Sequence, residues 1–576
     1  MEKNTTSRFL NGKFWGLFAL LNGLLFLPFY VLNINESSFF PSVSEAESGN
    51  LYSYLKLIFI RENLDVFRLS VDFIIVLFIG ALVQRKAGFK YTYIFVGVFY
   101  VLFLFSQIYS AIFQSLYGVV PMLYNDWSVL KTGFMIVYQG FSFSFMLYIF
   151  GILLVIVVLF FLLKTLLLLL SKVKFNVVSK VLLGWLFLLC LVNVKFGVKL
   201  DSRNTMQYQS LFITKNILAS KEAQASLKNF SADNLVSQYH YKLDSLVSKP
   251  NLYFISIESY GKIWLTHDSL KRKSKESLKR FKDELSKASY SLSSNYSESP
   301  VTGGLSWIAY SNFSFGFNFK NQGTYNALLE NRKLDEYTDL FKVLGSQGYS
   351  NYRLVPLFKS GKIVIPWEKY KSFYRVDEWV KYEDLAYDGE LFGFGPAVPD
   401  QYALHYTKEM MQKTDTPKTL FFLTVSSHNP FLTPDFETDW KGLNNSERSE
   451  IDGANLLVNP TFSNYHKAME YELKMLSDFI RTNRDTNAIY VLFGDHQPPL
   501  LTSASDDFET PMHIISKNKN FVAEFEKHGF VDGATPQTGN GIKHESFLTM
   551  FLIAFQNEYG IKKSAIEYLP NGINIR

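Results

Sequence analysis

Ser297-Glu298-Ser299-Pro300-Val301-Thr302-Gly303-Gly304 is first of all a turn signal, because proline followed by paired glycines punctuates regular elements. Its flanks give it more weight. An extended run, Tyr290 to Tyr296, precedes it, and an apolar helix-like run, Leu305 to Phe315, follows it. Thr302 then belongs to the first residues of a helix at a strand's end. Backbone N–H groups there favour anions. Gly303 and Gly304 let a phosphate group come close to the backbone. A hydroxyl in that place is set to attack phosphorus if something lowers its pKa. The plainer reading makes Thr302 only an N-cap.

Working outward, three apolar runs read as buried strands. They are Asn251 to Ile257, Leu420 to Val425 and Ala488 to Phe493. Helical patterns lie between them, at Lys271 to Lys287, Asp339 to Ser346, Gln401 to Gln412 and Phe462 to Arg481. Strands alternating with helices predict an α/β sandwich around a largely parallel sheet. Ligands of such sheets gather beyond the carboxyl ends of the strands. There the sequence puts Glu258, then Ser427-His428-Asn429-Pro430-Phe431, then Gly494-Asp495-His496. Glu258, Asp495, His496 and Thr302 would form a mixed oxygen and nitrogen site for one divalent ion. Such a site suits Mn²⁺, Zn²⁺ or Mg²⁺. A cation on the Thr302 oxygen would supply the missing activation. Taken singly, each of these residues is also explained as a solvated strand end or an Asx turn.

The first 200 residues have another texture. The chain of 576 residues is 48% hydrophobic and 17% aromatic, and all nine histidines follow residue 200. Apolar runs at Lys13–Ile34, Phe67–Val83, Tyr91–Phe113, Phe145–Leu163 and Val178–Val198 predict five spans. Lys3, Arg8 and Lys13 precede the first, which reads as an uncleaved span. Arg85, Lys86, Lys90, Lys164, Lys172, Lys174 and Lys180 fall on one side; Glu36, Glu45, Glu47, Glu62, Asp65 and Asp126 fall on the other, beside some basic residues. The basic side is the inner one. Everything after residue 200 is then extracytoplasmic, on a multi-pass protein of the cell membrane. Asp72, just inside the second span, reads as a hydrated interfacial carboxylate. Residues 1–200 are expected to form the membrane domain, 201–249 short linking helices near the membrane surface, and 250–576 the head. The net charge of +6 is scattered, which excludes a nucleic-acid stripe. The single cysteine, Cys190, excludes an internal disulfide.

Together, Ile257-Glu258-Ser259, Ser299-Pro300-Val301-Thr302-Gly303-Gly304, Ser427-His428-Asn429-Pro430-Phe431 and Gly494-Asp495-His496 resemble the lipoteichoic acid synthase group of the sulfatase and alkaline phosphatase superfamily. The five-span half and the short linker fit as well. The resemblance implies a head of the alkaline phosphatase type, with the metal on Glu258, Thr302, Asp495 and His496. It makes Thr302 the nucleophile and sets His428 by the substrate phosphate. It further implies transfer of phosphoglycerol from a phospholipid donor, such as phosphatidylglycerol, to an acceptor hydroxyl on a polymer or glycan. Phosphoethanolamine transfer is the alternative within the same chemistry. A catalytically silent, lipid-sensing membrane protein of the same fold is the alternative outside it. The chain departs from the group after Gly348-Tyr349, where the expected His, Trp and Arg cluster for glycerol phosphate is missing. Arg353, Lys359 or Lys362 would contact an anion instead, or equally be surface charge. The formylglycine motif of true sulfatases is also absent, which argues against sulfate ester hydrolysis.

Overall fold

The computed structural model describes residues 2–34, 36–41, 59–61, 63–83, 89–127, 129–131, 143–197, 204–228, 232–357, 367–392, 397–445, 460–502 and 506–575. Glu45, Glu47, Glu62, Arg85, Lys86, Lys359 and Lys362 lie outside the described residues. The chain divides into two compact units, one of Met1–Leu123 with Gly140–Glu222, the other of Tyr124–Gln139 with Ala223–Arg576.

The first unit is helical. Among the described residues, three helices are long and apolar enough to cross a membrane: Phe9–Leu32, Phe95–Tyr117 and Phe150–Lys172. They pack on one another through Phe14, Phe18, Leu21, Tyr100, Phe103, Leu163 and Leu166. Two further apolar helices, Val71–Leu82 and Val177–Asn193, are shorter. The expected second span loses its first turn to polar bonding. Leu69–Ser70 pairs in parallel with Met206–Gln207, and Arg68 donates to the carbonyls of Asn204 and Asn63 at 2.8 Å each. Asn193 and Lys195 cut the apolar run of the last helix short. Asp72 has more to do than meet water. It accepts from the Ser210 backbone N–H at 3.2 Å and from the Ser210 hydroxyl. Its carboxylate therefore caps the first turn of the helix Gln209–Lys228, where orphan N–H groups favour an anion.

The second unit is built on a nine-stranded sheet. In chain order its strands are β1 (Leu252–Ile257), β2 (Ser291–Glu298), β3 (Ser350–Leu354), β4 (Glu378–Val380), β5 (Lys418–Leu423), β6 (Ile489–Gly494), β7 (Glu509–Ser516), β8 (Val531–Asp532) and β9 (Ile542–Lys543). Their spatial order is β8-β2-β7-β6-β1-β5-β3-β4, with β9 beside β2. From β6 to β4 every pairing is parallel. β7 is antiparallel to both β6 and β2. All six residues of β1 and of β6 are buried, as expected for parallel strands covered on both faces.

The two-residue period of β1 shows directly which side chains serve which core. Tyr253, Ile255 and Ile257 belong to one cluster, Leu252 and Phe254 to the other. The first face carries helices α1 (Lys271–Lys287), α3 (Asp400–Met411) and α4 (Phe462–Thr482); the second carries α2 (Ser306–Phe315) and α5 (Phe547–Tyr559). In α1 the buried residues are Ser274, Ser277, Leu278, Phe281 and Leu285. That is one stripe of a helix with charge on the rest of its surface, and it packs on α4. α4 starts where Thr461 Oγ accepts from the Asn464 N–H at 3.1 Å.

Candidate metal centre

The register of the sheet brings two carboxylates level. β1 and β6 are neighbours, with Ile257 opposite Gly494, so the next residues, Glu258 and Asp495, leave adjacent strands at one edge. Gly494 is needed for this turn, because a Cβ there would lie 2.0 Å from the Tyr260 carbonyl oxygen. Asp495 Oδ1 accepts from the backbone N–H of Ser259 at 2.8 Å and of His496 at 2.7 Å. The other oxygen, Oδ2, lies 3.5 Å from His496 Nε2. Glu258 Oε1 lies 3.6 Å from the same nitrogen. His496 Nδ1 is 2.9 Å from the Gln497 carbonyl, an acceptor that fixes the proton on Nδ1 and leaves the lone pair on Nε2. Ser427 Oγ donates to the Glu258 carbonyl at 2.8 Å, tying the loop after β5 to the end of β1.

The donor set fits a divalent ion. Ligand atoms of Glu258, Asp495 and His496 lie within 4.8 Å of one another. The residues are only 7%, 2% and 1% exposed. Burial and then the Glu258 charge push the Asp495 carboxyl up to about 7. Burial works to lower the His496 pKa, but the Asp495 and Glu258 carboxylates outweigh it and leave it raised. Two buried carboxylates facing one imidazole are thus short of positive charge, which a divalent cation supplies. Carboxylate oxygens with one imidazole suit Mn²⁺, Zn²⁺ or Mg²⁺.

Thr302 is not at a helix start. α2 begins at Ser306, and its N-cap is Leu305, so Thr302 is no N-cap either. Gly303, Gly304 and Leu305 all have positive φ, at 66°, 150° and 62°. They turn the chain between Thr302 and α2, and the two glycines allow it where other residues would strain. The Gly303 N–H is used on the Gln497 carbonyl at 3.0 Å, and Ser299 Oγ donates to the Asp495 carbonyl at 2.5 Å. Two staples thereby hold the Thr302 turn on the Asp495–Gln497 turn. Ser306 comes closer still, with its Oγ 3.1 Å from His496 Nε2 and 3.4 Å from Glu258 Oε2.

His428 is half-buried. Burial lowers its pKa, with His496 lowering it further and Asp495 opposing. Its Nδ1 is 2.9 Å from the Asn429 carbonyl, so Nε2 is the acceptor nitrogen of a neutral ring. The loop that carries it is anchored by Asp400, whose Oδ2 accepts from the N–H groups of Val425 at 2.8 Å and Ser426 at 2.6 Å. Arg353, on β3, is 2% exposed. Its guanidinium lies over the rings of Tyr374 at 4.0 Å, Tyr310 and Phe421 at 4.7 Å, and Trp379 at 5.1 Å. Sequence reading missed Ser306 and Asp400. The favourable place of an acid in a first helical turn was the signal for Asp400, which opens α3; no such signal marks Ser306, which follows the Leu305 N-cap of α2.

No protein-family model matches the chain, and no curated protein matches it. Solved structures do. The chain is similar to a protein in the alkaline phosphatase superfamily from Vibrio parahaemolyticus, at 14% identity and a TM-score of 0.36 over 58% of this chain and 73% of that one. It is similar to the lipoteichoic acid synthase LtaP from Listeria monocytogenes, at 15% identity and a TM-score of 0.35 over 62% and 81%. It is also similar to the integral membrane lipooligosaccharide phosphoethanolamine transferase A (EptA) from Neisseria meningitidis, at 13% identity and a TM-score of 0.45 over 94% of both chains. The chain thus has structural matches in the alkaline phosphatase superfamily, membrane transferases among them, at low sequence identity.

Proposed function

We propose that the protein is a metal-dependent transferase that moves a phospho-head-group, phosphoglycerol, from a membrane phospholipid to an acceptor hydroxyl on a polymer or glycan. The observation that carries this reading is the buried Glu258, Asp495 and His496 group at the ends of adjacent strands, with the Thr302 turn stapled beside it. The motif resemblance supplies the chemistry. Phosphatidylglycerol is the donor that fits best. Residues 1–200 are the membrane domain with five spans, 201–249 the linker and 250–576 the head, held outside the cytoplasm.

Glu258, Asp495 and His496, with the Thr302 hydroxyl, would hold one divalent ion, Mn²⁺ by preference. When bound, the ion neutralises charge on phosphoryl oxygens and lowers the pKa of a hydroxyl beside it. Thr302 Oγ attacks phosphorus, forming an Oγ–P bond as the bond to the diacylglycerol oxygen breaks. Diacylglycerol leaves with a proton. In the second displacement the acceptor oxygen attacks the same phosphorus and the Oγ–P bond breaks. Two in-line displacements retain configuration at phosphorus. His428, neutral with its acceptor nitrogen at Nε2, takes the proton of an attacking hydroxyl and returns it to a leaving oxygen.

Incubation of the purified protein with head-group-labelled phosphatidylglycerol tests the reading. Diacylglycerol and labelled phosphoglycerol on an acceptor are expected, and both should vanish on metal chelation. Turnover of phosphatidylethanolamine alone would move the assignment to phosphoethanolamine. Turnover of neither lipid with metal bound would favour the silent, lipid-sensing alternative.

A further inference from the structure

Ser306 is assigned nothing in the scheme above, yet its hydroxyl stands within the metal-ligand group. Its Oγ is 3.1 Å from His496 Nε2 and 3.4 Å from Glu258 Oε2. Ser306 Oγ, His496 Nε2 and Glu258 Oε2 are each atoms that can offer a lone pair to a cation, and the serine oxygen stands within 3.4 Å of both partners.

The separations agree with this. Four donors set tetrahedrally at about 2.0–2.2 Å from one ion stand roughly 3.3–3.6 Å apart, and a fifth donor, with Thr302 counted as one of the others, brings some pairs to about 3 Å. His496 Nε2 is 3.6 Å from Glu258 Oε1 and 3.5 Å from Asp495 Oδ2; Ser306 Oγ falls in the same band at 3.4 Å from Glu258 Oε2 and stands just inside it at 3.1 Å from His496 Nε2. Glu258 directly follows β1, Asp495 and His496 directly follow β6, and Ser306 opens α2.

We propose that Ser306 Oγ is a further donor to the divalent ion, joining Glu258, Asp495 and His496. This rests on the metal reading above. It adds a consequence for the nucleophile, because Ser306 opens α2 and follows the Thr302 turn directly. An ion gripped by Ser306 fixes that turn from its far side, as the Gly303 and Ser299 staples fix it from the near side.

The test uses full-length protein in detergent with Co²⁺ as the probe. Ser306→Ala should weaken Co²⁺ binding roughly ten- to a hundred-fold, with the melting temperature of the metal-free protein unchanged. Ser306→Cys should give a thiolate-to-cobalt charge-transfer band that the parent, with Cys190 alone, lacks. Parent-like affinity in Ser306→Ala, or a Co²⁺-loaded Ser306→Cys protein without the band, overturns the proposal. Those outcomes leave the metal reading intact provided Asp495→Ala still abolishes binding. A parent protein that binds no Co²⁺ instead sinks the metal reading, and the Ser306 proposal with it.

Discussion

Asp495 is where the chemistry of the site is most exposed to measurement. Its carboxyl, ordinarily near 3.8, is pushed up to about 7 by burial and by Glu258 when no cation is present. The folded metal-free protein therefore holds a proton there that the unfolded chain has lost. Its stability should fall as pH rises from about 4 to about 7. A divalent ion must displace that proton, and the raised His496 proton as well, so metal affinity should weaken as pH drops below 7. Melting of the metal-free protein across that pH range checks the first point, and calorimetric titration with Mn²⁺ at pH 5.5 and 7.5 checks the second. Weaker binding at the lower pH with net proton release is expected; equal affinity and no release would contradict the geometry. At this scale much of the site was legible in the sequence, because a polar residue ending an apolar strand points to the strand's carboxyl edge. Arg353 was not. Nothing in Asn351-Tyr-Arg-Leu shows that four aromatic rings from other segments will enclose the guanidinium.

The elements tell a similar story with different gaps. β1, β5 and β6 were readable as apolar runs, and α1 and α4 as striped helices. β7 was not, since Pro511 sits inside Glu-Thr-Pro-Met-His-Ile-Ile-Ser and proline argues against a central strand. The pairing explains its tolerance. Pro511 faces Tyr296 of β2, while contact with β6 begins only at Met512, so the missing N–H falls where one side of the strand has no partner strand. The boundary of α2 was misplaced because three positive-φ residues in a row, one of them a leucine, cannot be seen in the motif. What fixes α2 is Phe313, buried and stacked between Phe493 at 4.0 Å and Phe547 at 3.9 Å. Phe313→Ala should cost about 3–5 kcal/mol of head stability, seen as a lowered melting temperature. It should also weaken metal binding, because the start of α2 loses its seat. A variant that melts like the parent would show that α2 is held elsewhere.

For the whole molecule, the apolar first unit and the α/β second unit correspond to two solvents. Lipid rewards helices with internally satisfied backbones, and water rewards a sheet covered by helices on both faces. The ends of the spans were the least legible feature. Hydropathy sees apolar length, but not that Phe67–Ser70 is diverted into pairing with Met206–Gln207. Reporter fusions after residue 210 check the proposed topology: enzymatic reporters that need export should be active, and an active cytoplasmic reporter at that point would reverse it. The central claim is that Thr302 carries the phospho-head-group between donor and acceptor, and mass spectrometry of protein trapped with phosphatidylglycerol and no acceptor tests it most directly. The account predicts a phosphoglycerol adduct on the peptide containing Thr302, absent from Thr302→Ala, whose turnover should fall roughly a thousand-fold or more. Release of diacylglycerol by Thr302→Ala at the parent rate, with no adduct on the parent peptide, would contradict it.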